Sequence, residues 1–156
     1  MFTTLPPDPA PVIGRASIVD GDTLEVHGQR IRLWGIDAPE SRQTCHRDGT
    51  TYRCGQEAAR RLAEVVGENP VTCTPRGRPD RFRRIVATCS VSAAPSLDLG
   101  RATRIDLAEM LVVEGHALDY RRYSGGAYAR LEADAQRHRR GVWAGAFERP
   151  WDWRAR

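Results

Sequence analysis

Apolar and polar residues alternate along two short stretches near the start of the chain, first through Leu24 and Val26, then through Ile31 and Leu33. This period-two pattern predicts half-buried strands, and His27-Gly28-Gln29 between them suits a hairpin turn. Val12 to Asp20 reads as a preceding strand, with Asp20-Gly21-Asp22 as a sharp bend. Trp34-Gly35-Ile36 extends the last strand toward Asp37, and Pro39 then ends ladder donation. Ser41 to Gly55, rich in Arg, Thr, Gly and Cys, is expected to be a long loop.

The period changes from Gln56 to Val66. Ala58, Ala59, Leu62, Ala63, Val65 and Val66 form an apolar helical face, with Glu57, Arg60, Arg61 and Glu64 opposite and Gly67 as the stop. Two strands follow, Pro70 to Pro75 and Ile85 to Val91, joined by the strongly basic turn from Arg76 to Arg84. Ala93 to Arg101 is expected to be a loop. Helices are expected over Ile105–Glu114, with Ala108, Leu111 and Val112 inward, and over Ala127–Arg140, with Leu131 and Ala135 core-facing.

Five strands with a helix after the third, then two more helices, predict an α+β fold: a five-stranded OB-type barrel with three helices. The Pro-rich residues 1–11 form an extended lead-in, 12–143 the domain, and 144–156 a tail. With Phe147, Trp151 and Trp153, that tail is too aromatic for a free linker and is expected to pack back on the domain.

At 156 residues, 40% hydrophobic and 28% charged, the chain fits one ordinary domain. Its formal charge of +4 mildly favours a polyanionic partner, and every positive side chain apart from histidine is arginine. Coding bias suffices to explain the missing lysine, yet the planar guanidinium fork also suits phosphate. No apolar run approaches the roughly 20 residues of a membrane span, so no membrane partner is expected. A monomer is the default for a domain of this size.

The four cysteines contain no Cys-x-x-Cys pair, which argues against a zinc ribbon or a thioredoxin-like redox pair. Three pairings are possible, and free core thiols or metal binding are alternatives. Local geometry favours Cys45 with Cys54, bracketing a Gly/Thr loop, and Cys73 with Cys89 across neighbouring strands. Two bridges would imply an oxidising compartment, periplasmic or exterior. The N-terminal residues lack the basic and apolar regions of a signal peptide, an absence that decides little.

Asp20, Asp22, Asp37 and Glu40 gather at the ends of the first hairpin with Arg32. Converging carboxylates and a backbone carbonyl can hold a hard cation such as Ca²⁺. Two arginines from different strands can hold a phosphodiester and spread its transition-state charge, and a glutamate can orient or deprotonate water.

Three motifs in order, Asp20-Gly21-Asp22-Thr23, Arg32-Leu33 with Gly35-Ile36-Asp37-Ala38-Pro39-Glu40, and Asp80-Arg81-Phe82-Arg83-Arg84-Ile85-Val86-Ala87, closely resemble the thermonuclease family, the staphylococcal or micrococcal nuclease-like proteins. The likeness runs from about Val12 to Trp143. It implies Ca²⁺ held by Asp22, Asp37 and the backbone carbonyl of Ala38, where the family often has threonine. Asp20 resembles an acid beside the metal-bound waters. Arg32 and Arg84 resemble the two arginines that bind the scissile phosphate, and Glu40 the carboxylate usually assigned as general base. The reaction implied is attack of water on phosphorus in DNA or RNA with little sequence preference, leaving 3′-phosphates.

Arg81 and Phe82 occupy places where the family contacts a nucleotide with a basic residue and a tyrosine; Tyr120 and Tyr123 are further candidates for base or sugar contacts. Arg83 stands where the family usually has glycine, which adds charge and removes a flexible residue beside Arg84. The Cys45–Cys54 loop is similar to one in bacterial exported relatives. The other reading is a catalytically idle nucleic-acid-binding or interaction module on the same fold.

Overall fold

The computed structural model describes residues 4, 5, 8–93 and 103–156. Its first four strands are β1 (Val12–Gly14), β2 (Ala16–Asp20), β3 (Thr23–Val26) and β4 (Gln29–Leu33). Then come β5 (Ile36–Asp37), β6 (Cys45–Arg47), β7 (Thr50–Tyr52) and helix α1 (Cys54–Val66). Strands β8 (Val71–Pro75), β9 (Ile85–Ala93) and β10 (Thr103–Asp106) precede α2 (Leu107–Val113) and β11 (Leu118–Asp119). The chain ends with α3 (Arg121–Ser124), α4 (Ala129–Arg137), a 3₁₀ turn at Gly141–Ala144 and α5 (Pro150–Arg154).

The main sheet has the order β1-β8-β9-β4-β3-β2. Since β1 and β2 are one run interrupted only at Arg15, the two ends of that sheet belong to the same strand and the sheet closes. The result is the expected five-stranded OB-type barrel, with β4 and β9 as its parallel pair. Leu24, Val26, Ile31, Leu33, Val71, Cys73, Ala87 and Cys89 fill its interior, each at most 1% exposed. They are the alternate positions that the period-two pattern marks. Helix α1 lays Ala58, Leu62 and Val66 against this core, and α2 adds Leu107, Ala108, Leu111 and Val112.

Several element boundaries differ from expectation. The stretch 41–55 contains the β6–β7 hairpin, pinned by the Cys45–Cys54 disulfide, and α1 begins at Cys54 rather than Gln56. Residues 103–106 add a strand to β9, so α2 begins at Leu107, with Asp106 capping it through the Glu109 amide at 3.0 Å. The last long helix spans 129–137, and α3 and α5 join the three expected helices. The loop expected over 93–101 lies, beyond Ala93, outside the described residues.

Cys73 and Cys89 face each other in the β8–β9 register and are disulfide-bonded. The tail packs on a second small core. Trp143, Phe147 and Trp151 lie against Cys45, Cys54, Leu118 and Val142, and the His46 amide donates to Ala146 O at 2.9 Å.

Candidate active site

Two irregularities in the strands aim the acids. The pairing of β2 with β3 slips between Ile18 and Asp20, leaving Val19 as an extra residue. Such a bulge bends the strand and redirects the side chains that follow. Beyond β4 the expected straight extension does not occur: Gly35, at φ +79°, turns the chain so that β5 leaves the barrel and pairs with β11. A Cβ at Gly35 would lie 3.0 Å from the Tyr128 ring, so both its backbone angle and its surroundings favour glycine. This turn brings Asp37 beside Asp22.

Asp22 is buried, and its Oδ2 accepts from Arg32 Nη1 at 2.6 Å and from the Ala38 amide at 2.9 Å. Arg32 Nη2 reaches Asp37 Oδ1 at 3.3 Å and the Ile36 carbonyl at 3.1 Å. One guanidinium thus joins two buried aspartates, Asp22 from the β2–β3 turn and Asp37 from β5. Asp37 also accepts from Arg154 of α5, at 2.9 Å to Oδ1 and 2.6 Å to Oδ2. Arg154 Nη1 donates to Glu40 Oε1 at 2.7 Å as well.

Arg84 reaches the same face by sheet register. In the parallel pair Arg32 lies opposite Val86, and side chains two residues apart share a face. Arg30, Arg32 and Arg84 therefore project together. Arg84 Nη1 donates to Thr23 Oγ1 at 3.2 Å, while its Nε donates to Asp80 Oδ2 at 2.8 Å. Glu40 is positioned through its backbone: its amide donates to Gln43 Oε1 at 3.2 Å and its carbonyl accepts from the Gln43 amide at 2.8 Å.

These groups border one cleft of about 1020 Å³. Asp20, Asp22, Arg32, Glu40 and Arg84 line it, as do the nucleotide-contact candidates Arg81, Phe82, Tyr120 and Tyr123. Asp37 and Ala38 are fully or almost fully buried and sit behind that wall. Neither disulfide lines the cleft.

The charges press on one another. Burial would raise the Asp22 carboxyl, but Arg32 and the surrounding hydrogen bonds hold it below its ordinary value. Burial pushes Asp37 up, the Arg154 hydrogen bonds pull it back, and the neighbouring Asp22 charge adds to the rise. Burial, with the Asp22 charge beside it, raises Asp20 to about 7.

Among the described residues no three His, Cys, Asp or Glu side chains cluster as a metal site. The expected ligand set needs only two side chains, Asp22 and Asp37, with a main-chain oxygen at Ala38. Its donors are all oxygen, the chemistry of a hard cation. The guanidinium of Arg154 already places a positive charge on Asp37. An all-oxygen donor set of this kind is one that a hard cation such as Ca²⁺ takes.

Sequence reasoning missed Arg154 and Trp151, which α5 brings into the cleft, and the anchors Thr23 and Asp80 that hold Arg84. The tryptophans of the tail signalled docking. No spacing rule links Arg154 to Asp37, 117 residues away.

The fold is a closed OB-type barrel with arginines and carboxylates converging on one side cleft. The family model for staphylococcal nuclease homologues matches residues 30–145, and the chain belongs to that family. Succinoglycan biosynthesis protein ExoI of Rhizobium meliloti is 38% identical over 135 residues, 85% of this chain and 65% of the relative. Micrococcal nuclease of Shigella flexneri is 34% identical over 146 residues, 88% of this chain and 76% of the relative. An uncharacterized endonuclease of Escherichia coli is 31% identical over 145 residues, 89% of this chain and 82% of the relative.

Proposed function

We propose that the protein is a Ca²⁺-dependent phosphodiesterase that hydrolyses DNA and RNA with little sequence preference, leaving 3′-phosphate ends. The observation that carries this reading is the shared cleft, in which Arg32 and Arg84 project from parallel neighbours beside the buried Asp22–Asp37 pair and Glu40.

Asp22, Asp37 and the carbonyl of Ala38 would hold the ion, which when bound supplies Lewis-acid stabilisation of a phosphoryl oxygen. Arg32 and Arg84 bind the scissile phosphate from two sides and meet the charge that develops on its oxygens. Glu40 orients the attacking water or takes its proton. Asp20 holds water beside the acids. Phe82 and Tyr123, 64% and 61% exposed, offer open rings for stacking on bases. Phe82 stacks without donating a hydrogen bond, and Arg81 adds charge next to it, its guanidinium 4.8 Å from the Phe82 ring.

The two disulfides support an oxidising compartment, periplasm or exterior, as the place of action. Among the described residues no helix is long and apolar enough to cross a membrane.

Incubation of the purified protein with single-stranded and duplex DNA and with RNA, in Ca²⁺ and then in EGTA, tests the reading. Cleavage in Ca²⁺ that stops in EGTA and leaves 3′-phosphates is expected. No cleavage in Ca²⁺, or cleavage indifferent to EGTA, overturns it.

A further inference from the structure

The cleft contains a cation that belongs to the chain itself. Arg154 makes three charge-assisted hydrogen bonds at 2.6–2.9 Å, two to Asp37 and one to Glu40. Together with Arg32 it engages both oxygens of a carboxylate that is wholly buried. A divalent ion on Asp37 would meet that guanidinium at close range as a like charge, and the two compete for the same lone pairs.

Of the two arginines on Asp37, only Arg154 is free to yield. Arg32 sits on β4, hydrogen-bonded between β3 and β9, with its side chain 17% exposed and its other nitrogen committed to Asp22. Arg154 is 36% exposed and ends a five-residue helix. Helix α5 is short and is seated by Trp151, which packs on the second core and against the Tyr120 ring with centroids 5.0 Å apart, by the buried Pro150, and by Gln43 Nε2 donating to Glu148 O at 2.7 Å just before it.

We propose that Arg154 is a built-in counter-cation that holds Asp37 and Glu40 in the ion-free protein, so that Ca²⁺ binding must displace it and α5 sets the calcium threshold of the enzyme. This rests on the assignment of Asp37 as a Ca²⁺ ligand. In the ion-free state the guanidinium screens the paired aspartates and keeps Glu40 from acting on water. When it leaves, Glu40 and Oδ2 of Asp37 are released together, because one side chain restrains them both, while Arg32 stays on Asp37 Oδ1. The coupling is reciprocal: whatever favours the docked tail weakens the ion, and the ion loosens the tail.

Calcium affinity measured by isothermal titration calorimetry on the full chain tests this without relying on turnover. Arg154→Gln should bind Ca²⁺ between about 5- and 150-fold more tightly than the unaltered protein. Arg156→Gln, which removes an equal charge paired with Glu148 instead, should leave the affinity within about twofold. Equal or weaker binding by Arg154→Gln, with the unaltered protein still binding, overturns the competition and leaves the calcium site standing. No binding by either overturns the calcium reading and the competition with it. A second measurement needs no variant. Tryptic cleavage after Arg154 requires a free guanidinium, so its rate relative to a reference peptide in the same tube should rise in Ca²⁺ over EGTA. An unchanged ratio overturns displacement.

Discussion

Arg84 gives two of the three hydrogen bonds that the Asp80 carboxylate accepts, its amide to Oδ1 at 3.0 Å and its Nε to Oδ2 at 2.8 Å; the third comes from the Phe82 amide at 2.9 Å. The guanidinium is therefore aimed from within its own turn. Asp80→Asn keeps the shape but loses the charge and one acceptor. Misplacement of a positioned group by about 1 Å can cost on the order of 10²-fold. We expect Asp80→Asn to lower kcat/KM by about 10- to 100-fold while the circular dichroism spectrum stays unchanged. Activity within twofold of the unaltered protein would show that Thr23 alone suffices to hold Arg84.

The same carboxylate has a signature in acid. Partial burial would raise its pKa, but the hydrogen bonds and charge of Arg84 hold it below the ordinary value. A group with a depressed folded pKa stabilises the fold above its unfolded pKa and loses that contribution as pH falls through the folded value. Below about pH 4 stability should therefore decline less steeply in Asp80→Asn than in the unaltered protein. Urea titrations at pH 6 and pH 3 compare the two, and identical slopes would remove Asp80 from the acid limb.

Arg83 adopts φ +62°, the left-handed conformation that glycine takes readily. The departure from the family residue thus leaves the backbone in a glycine-like turn with its strain retained. A left-handed non-glycine residue costs roughly 1–2 kcal/mol, and the greater freedom of unfolded glycine returns about half of that. Arg83→Gly should raise the unfolding free energy by up to about 1 kcal/mol. Arg83→Val, β-branched, should lower it by about 1–2 kcal/mol. The reverse order in chemical denaturation would mean that the turn relaxes to another shape.

The readable parts of this fold are those in which burial follows a local period. Leu24, Val26, Ile31 and Leu33 alternate into the barrel, and Ala58, Leu62 and Val66 recur at helical spacing. The β6–β7 hairpin has no such signal, because Thr50, Thr51 and His46 are exposed and only Cys45 and Tyr52, at the first position of β6 and the last of β7, pack inward. It is held by the local Cys45–Cys54 disulfide and by the Ala146 carbonyl, the second a contact from the far end of the chain. Strand β10 is equally silent, with exposed Thr103 and Arg104 adding to the far end of β9. In the cleft, the motif residues were recognisable by type and order. The identity of the cation on Asp37 was not, because Arg154 reaches it through tertiary packing of α5.

Gly55, at the start of α1, lies against the backbone of Glu40. A Cβ there would strike the Glu40 carbonyl oxygen, and Ser41 Cα would be 3.1 Å away. Backbone cannot yield as a flexible side chain does, so Gly55→Ala should push the Glu40 segment outward. The loss expected from overpacking is about 1–3 kcal/mol. Activity should fall beyond what that loss of folded protein explains, since the carboxylate moves with its backbone. Rates measured well below the melting transition separate these effects, and full kcat in a destabilised variant would mean that Glu40 contributes nothing at that position.

Arg32 and Arg84 share one proposed role but differ in what else depends on them. Each should contribute about 10²–10³ in kcat as a donor to the developing oxyanion. Arg32 also neutralises Asp22, whose side chain is 7% exposed, and removal of one member of a buried pair typically costs about 3–5 kcal/mol. Asp80, the partner of Arg84, also accepts from the Phe82 and Arg84 backbone amides, so loss of the Arg84 side chain leaves that carboxylate hydrogen-bonded. Arg84→Ala should therefore be folded and inactive, and Arg32→Ala inactive and markedly less stable. Urea denaturation beside single-turnover cleavage reads both quantities. If both variants unfold alike, Asp22 does not depend on Arg32 for its charge balance; if either cleaves within a few-fold of the unaltered rate, that arginine does not hold the scissile phosphate.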